Sequence, residues 1–265
     1  MRNIPPFPCK QIGNQSKPGL VFLHGFLGSG ADWLPVAESF SGDFSCILPD
    51  LPGHGQNTEI RADEVLDYDL FSDGLARTLP PQAVDLVGYS LGGRVALYFA
   101  LKYPERVKRL VLESTSPGIK DPEQRAERAL LDQRRAEKIL SGGLGLFVDD
   151  WYSQPLFSSL RLQPELSARL KSSRMQNSAA WMARVISEMS PGRQPWLGDR
   201  LGDLKMEVLL LAGELDLKYA AGLTSSAAKI PQAKAVSVPN AGHSIHAEQP
   251  ESFIGILESF FNDKP

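Results

Sequence analysis

Ser90 is the residue with the plainest chemical potential in this sequence. It stands in Gly88-Tyr89-Ser90-Leu91-Gly92, after the apolar run VDLVG and before the helical stretch LGGRVALYFALKY. Small residues on both sides of a serine allow a sharp turn from strand to helix that leaves the hydroxyl exposed at the helix N-terminus. The helix dipole and the free backbone N–H groups of such a terminus favour developing negative charge. A bare GxSxG carries little information, but a strand before it and a helix after it make it a nucleophile elbow. A second segment, His24-Gly25-Phe26-Leu27-Gly28, follows the first apolar run and matches a loop that donates one N–H of an oxyanion hole. The expected donors are the backbone N–H groups of Phe26 and Leu91, and loss of one such donor typically costs about 3 to 4 kcal/mol in barrier.

The serine needs a base, and the histidines are His24, His54, His243 and His246. His243, in Asn240-Ala241-Gly242-His243 beyond the last strand pattern, is placed to swing back over the elbow. His24 and His54 read as braces of their loops, and His246 has no strand end to present it. The acid that fixes the imidazole tautomer and stabilises the imidazolium is expected to be Asp216, in LLLAGELDLKY, which gives the chain order Ser, Asp, His. Glu214 and Glu113 are rivals at neighbouring strand ends.

The elements that must position these groups are legible from glycine and proline punctuation. GLVFLH, FSCILPD, VDLVGYS and RLVLEST read as strands buried on both faces, alternating with helical segments over 32–40, 68–79 and 91–103. From about 117 to 203 the strand-like runs vanish and the pattern turns helical, opening at DPEQRAERALLDQRRAEKIL. Asp121 is a fitting cap there, Pro122 a fitting first residue, Gln124 a reciprocal partner, and Gly142 and Gly143 a stop. EVLLLAGELD, KAVSVPNAGH and a closing amphipathic ESFIGILESFF then resume the first pattern. The expected fold is α/β, a mostly parallel sheet with helices on both faces, with core segments 1–116 and 204–265 and an inserted helical cap at 117–203. Ser90, Asp216 and His243 all fall at carboxyl ends of parallel strands, where open sheets place their sites.

Composition narrows the partners. The 265 residues carry 28 Lys and Arg against 31 Asp and Glu, a net charge of −3, so the broad basic face that nucleic acid or anionic membrane requires is not expected. No run approaches a membrane span, and the start, MRNIPPFPCK, is proline-rich where a secretion signal has an apolar core; a cytoplasmic protein is expected. Cys9 and Cys46 read as plain thiols without metal-ligand spacing, and GYSLGGR is no dinucleotide fingerprint. No metal, nicotinamide or flavin cofactor is called for, and no obligate protein partner is indicated.

Arg94, one turn along the elbow helix from Ser90, shares its face. A charge there is costly unless a carboxylate or other anion accepts its hydrogen bonds, so it points either to an anionic substrate or to an internal salt bridge. Arg125, Arg128, Arg174 and Lys218 are each, taken singly, as readily solvated surface charges, and Trp151 and Tyr152 as readily cap packing.

The elbow, the HG loop, the LPGHG turn and the ordered Ser90, Asp216 and His243 resemble the α/β-hydrolase superfamily over nearly the whole chain. GYSLGGRVALYFA, EQRAER, DDWYSQPLF, the stretch Ser173-Arg174-Met175-Gln176-Asn177, GELDLKY and AGHSIHAEQP further resemble the 2-succinyl-6-hydroxy-2,4-cyclohexadiene-1-carboxylate synthase family, which eliminates pyruvate in menaquinone and phylloquinone synthesis. The resemblance implies a small tricarboxylate substrate held by Arg94, Arg128, Trp151, Tyr152, Arg174 and Lys218, with Arg125 competing with Arg128 for the cap-helix position. It implies a lyase in which the triad supplies a base. The alternatives are a serine hydrolase of a small anionic ester or C–C bond, and a ligand-binding receptor on the same scaffold, for which an intact triad would have no use.

Overall fold

The computed structural model describes residues 4–61 and 63–262. Residues 1–3 of the proline-rich start and 263–265 of the expected core segment lie outside the described residues. Among the described residues, seven strands form one sheet in the order β1-β3-β2-β4-β5-β6-β7. They are β1 Cys9–Ile12, β2 Gly19–Leu23, β3 Ser45–Pro49, β4 Val84–Tyr89, β5 Val107–Glu113, β6 Glu207–Gly213 and β7 Ala233–Val238. All neighbours pair in parallel except β1, which runs antiparallel to β3.

The period-two rule of strands explains the two layers of core. Val21 and Leu23 of β2 face one apolar cluster, with the elbow helix, while Leu20 and Phe22 face the other, with Trp33 and the C-terminal helix. All four are 0% exposed, which is why this strand reads as an unbroken apolar run. Burying each such side chain contributes roughly 1.5 to 3 kcal/mol. β1 escapes the sequence pattern for the opposite reason: CKQI is short and mostly exposed, and its place is set by backbone pairing to β3.

Three helices alternate with the first strands: α1 Leu34–Phe40, α2 Tyr68–Thr78 and α3 Leu91–Lys102. Between β5 and β6 the chain makes α4 Pro122–Gly142, α5 Leu144–Ser153, α6 Pro164–Arg174 and α7 Ala179–Glu188, and then no strand until Glu207. Asp121 caps α4 by accepting the Gln124 N–H (2.8 Å). The expected return bond from the Gln124 side chain is not formed among the described residues; one half of the box suffices to cap the helix. Gly143, at φ 83°, ends it. After β6 come α8 Leu217–Ala227, α9 Ile245–Glu248 and α10 Pro250–Asn262. No helix of the described residues is long and apolar enough to cross a membrane.

Candidate active site

The turn between β4 and α3 puts Ser90 in a backbone conformation that few side-chain-bearing residues adopt, φ 50° and ψ −107°. Its neighbours must be glycine for steric reasons. A Cβ on Gly92 would lie 2.3 Å from the Leu23 carbonyl oxygen, and one on Gly88 would lie 2.6 Å from the Gly92 carbonyl oxygen. The turn is pinned by the Ser90 N–H donating to the Glu113 carbonyl (3.0 Å) and by the Thr115 hydroxyl donating to the Ser90 carbonyl (3.0 Å).

His243 Nε2 lies 3.1 Å from Ser90 Oγ, and His243 Nδ1 lies 2.6 Å from Asp216 Oδ2. Asp216 is 2% exposed; it also caps α8, its other oxygen accepting the Tyr219 N–H (3.4 Å). With Nδ1–H donated to the carboxylate, Nε2 is the acceptor that faces the serine hydroxyl, the arrangement that lets an imidazole take a hydroxyl proton. The rival acids are occupied elsewhere. Glu214 accepts the Asn240 N–H (3.3 Å), and Glu113 holds His246 through Nδ1 (2.9 Å) and the backbone N–H (3.1 Å).

His24 and His54 shape the other side. His24 Nε2 accepts the Leu51 N–H (3.0 Å) while Nδ1 donates to the Gly25 carbonyl (2.8 Å). His54 Nε2 accepts the Leu27 N–H (3.2 Å) and its Nδ1 donates to the Pro52 carbonyl (3.1 Å). Burial lowers the pKa of His24 and pushes that of His54 well below the ordinary histidine range. Both are neutral braces of the His24–Gly28 loop. The Phe26 and Leu91 N–H groups donate to no acceptor among the described residues: Phe26 lies in that loop, and Leu91 is the first residue of its helix, where no intrahelical acceptor exists.

Above Ser90 opens a cavity of about 240 Å³ lined by Ser90, His243, Phe26, Leu91, Arg94, Arg128, Trp151 and Lys218 among others. Arg94 is 9% exposed and pairs with no carboxylate among the described residues. Its Nη1 donates to the Tyr68 hydroxyl and to the Met189 carbonyl (2.9 Å), which leaves Nε–H and both protons of Nη2 without an acceptor among the described residues. The internal salt bridge that would have explained this arginine is absent among the described residues. Lys218 is pulled below the ordinary lysine pKa by desolvation and by the Arg128 charge, with Asp216 opposing. Among the described residues, four cations, Arg94, Arg128, Arg135 and Lys218, share the cavity with one lining carboxylate, Asp132. The formal excess of three positive charges sits in a protein of net charge −3.

A model of the α/β hydrolase fold matches residues 18–250. The 2-succinyl-6-hydroxy-2,4-cyclohexadiene-1-carboxylate synthase of Yersinia pestis (strain Pestoides F) is 33% identical over 265 residues, covering 98% of this chain and 93% of that protein. This chain belongs to that synthase family, on the α/β-hydrolase fold. A solved structure described as MenH from S. aureus is 36% identical, with a TM-score of 0.91, over 96% of this chain and 97% of that one. Protein PHYLLO, chloroplastic, from Arabidopsis thaliana is 34% identical over 91% of this chain, but the match spans only 15% of that longer protein.

Of the two α4 arginines that competed for one position, Arg128 lines the cavity and Arg125 does not. Two of the residues implied by the resemblance sit elsewhere. Arg174 and Tyr152 do not line the cavity: Arg174 is buried against Asp32 (2.8 Å), and its Nε donates to the Tyr152 hydroxyl (3.1 Å). Burial opposes the guanidinium charge, but Asp32 and Tyr152 raise its pKa on balance, and Arg174 in turn holds the Asp32 carboxyl below its usual range although burial works the other way. A fully matched ion pair has no electrostatic need of a substrate carboxylate. Nearby, the Asn177 side chain donates to the Leu27 carbonyl (2.8 Å), fastening the end of α6 to the His24–Gly28 loop.

Arg135, Asp132, Gln154, Phe157 and Tyr219, none of them an expected site residue, also line the cavity. A signal was available for two of them. Arg128, Asp132 and Arg135 are spaced i, i+4, i+7, one face of a helix over two turns. Tyr219, whose ring lies 4.9 Å from that of His243, carries no such pattern.

Proposed function

We propose that this chain eliminates pyruvate from 2-succinyl-5-enolpyruvyl-6-hydroxy-3-cyclohexene-1-carboxylate to give 2-succinyl-6-hydroxy-2,4-cyclohexadiene-1-carboxylate, a step of menaquinone or phylloquinone biosynthesis. The observation that carries this reading is Arg94, a buried arginine with no carboxylate partner among the described residues, one helical turn from Ser90. The substrate bears three carboxylates, on the ring, the succinyl arm and the enolpyruvyl group, and the cavity carries the matching excess of cations. Guanidinium forks suit carboxylates better than ammonium does, and each charge-assisted bond contributes roughly 1.5 to 3 kcal/mol.

The ring names state which bonds change. A proton leaves C2, next to the succinyl carbonyl; C2=C3 and C4=C5 replace C3=C4; and the C5–O bond to the enolpyruvyl group breaks. In this reading His243, oriented by Asp216, takes the Ser90 proton, and the serine oxygen removes the C2 proton. The N–H groups of Phe26 and Leu91 hold the succinyl carbonyl oxygen while it gains enolate charge. The departing enolate of pyruvate takes one proton from the imidazolium to become the enol, which tautomerises. No acyl-enzyme forms, which separates this course from ester hydrolysis on the same triad.

Residues 117–203 serve in this reading as a cap over a core of residues 1–116 and 204–265, supported by the α4 residues in the cavity wall. A cytoplasmic location accords with the free thiols of Cys9 and Cys46.

The test is pyruvate release by the purified protein from freshly generated substrate, with Ser90→Ala as control. Release well above the spontaneous rate that the substitution abolishes supports the lyase. Release at the spontaneous rate, in a protein that cleaves p-nitrophenyl acetate through Ser90, replaces it with the hydrolase.

A further inference from the structure

Arg135 belongs to none of the motifs that carry the family resemblance, yet its guanidinium is fixed in the wall of the same cavity. Asp132, buried on α4, is shared between two arginines: Oδ2 accepts from Arg128 Nε (2.7 Å) and Oδ1 from Arg135 Nη1 (2.8 Å). The Ser190 hydroxyl also donates to Oδ2 (2.7 Å). Arg135 Nη2 donates to Gln154 Oε1 (2.7 Å), Gln154 is tied in turn to the Trp151 carbonyl (3.1 Å), and the guanidinium lies 5.3 Å from the Trp151 ring centroid. Held on these sides, it has little freedom to swing into solvent.

Of the five N–H donors of an arginine, Arg135 uses two and Arg128 one on protein acceptors. The remainder have no acceptor among the described residues. One carboxylate between two guanidiniums leaves a local charge of +1, and two planar donor groups with open N–H are arranged on one helix face. That is a seat for a further carboxylate, built before the ligand arrives.

We propose that Arg135 is a substrate-binding residue. Together with Arg128 it receives one carboxylate of the ligand on the α4 wall, while Arg94 and Lys218 take the others nearer Ser90. Asp132 is the positioning residue that sets the spacing of the two guanidiniums. The inference rests on the proposed function for the tricarboxylate substrate; the seat itself requires only a carboxylate.

Two measurements separate the claims. In the first, kcat and KM for pyruvate release are compared among wild type, Arg135→Met and Arg135→Lys. The Met variant is expected to raise KM about 10- to 100-fold with kcat within about threefold, as loss of one charge-assisted bond made equally in ground and transition states requires. The Lys variant, which keeps the charge but loses the fork, falls between. In the second, binding of propane-1,2,3-tricarboxylate and of butyrate to each protein is followed by calorimetry, which needs no turnover. Tricarboxylate binding weakened at least about tenfold in Arg135→Met, with butyrate unchanged, supports the seat. Asp132→Asn is expected to raise KM also, through the loosened pair. Unchanged KM and unchanged tricarboxylate binding in folded Arg135→Met or Arg135→Lys overturns the seat while leaving the lyase standing. Arg135-dependent tricarboxylate binding in a protein that releases no pyruvate above background overturns the lyase and keeps the seat.

Discussion

Replacing Arg94 with Met removes a buried cation beside Ser90 that has no counter-ion among the described residues. Its Nε–H and Nη2 protons have no acceptor among the described residues, and a guanidinium that grips a carboxylate with two of them contributes about 3 to 6 kcal/mol, at roughly 1.5 to 3 kcal/mol per charge-assisted bond. At about 1.36 kcal/mol per factor of ten, kcat/KM for the tricarboxylate should fall about 10²- to 10⁴-fold. Part of this appears in KM, because the carboxylate is held before and during the reaction. The fold should tolerate the change. The bonds lost go to the Tyr68 hydroxyl and the Met189 carbonyl, no ion pair is broken, and the cost of burying a charge disappears; a net stability change within about 2 kcal/mol is expected. The assay couples pyruvate release to lactate dehydrogenase and measures p-nitrophenyl acetate cleavage on the same preparation. A loss of less than tenfold on the tricarboxylate would refute the reasoning. So would an equal loss on the neutral ester, because Arg94 would then act through the geometry of Ser90.

Three further outcomes follow from the same geometry. Asp216→Asn should lower turnover by about 10⁴, because an amide favours the wrong imidazole tautomer, whereas Glu214→Gln should stay within about twofold at its exposed site; rates measured side by side decide between these acids. Lys218 titrates below the ordinary lysine range, and the cation is the form present at lower pH. KM for the trianion should therefore rise as pH climbs through that lowered pKa, and Lys218→Met should flatten this alkaline limb of a log KM profile. Gly92→Ala drives a Cβ against the Leu23 and His24 carbonyl oxygens; a loss of about 3 kcal/mol or more in urea unfolding is expected, since backbone on both sides resists relaxation.

Local rules made much of this molecule legible. The largely apolar runs of β2 to β6 are what burial on both faces of a covered parallel sheet demands, with Asp85 of β4 and Arg109 of β5 admitted as a buried ion pair, and the glycines around Ser90 are what a backbone turn at φ 50° demands. The interval between β5 and β6 announced itself by helical spacing. β1 was invisible because CKQI has no buried face to impose a pattern, and only pairing with β3 identifies it.

Which charges meet was a different matter. The sequence by itself determined that Ser90 follows a strand, that acidic and imidazole groups follow later strands, and that arginines are abundant in the inserted helices. Chain order pointed to Asp216 as the acid, but only the tertiary structure shows Asp216 joined to His243 and its rival Glu113 joined to His246. It likewise separated Arg94, which pairs with no carboxylate among the described residues, from Arg174, which is matched to Asp32 across 142 positions of chain. The physical reason is range. Turns, caps and strand periodicity are set by neighbours within a few residues, whereas the charge state and partner of a buried group are set by whichever distant segments the fold packs against it.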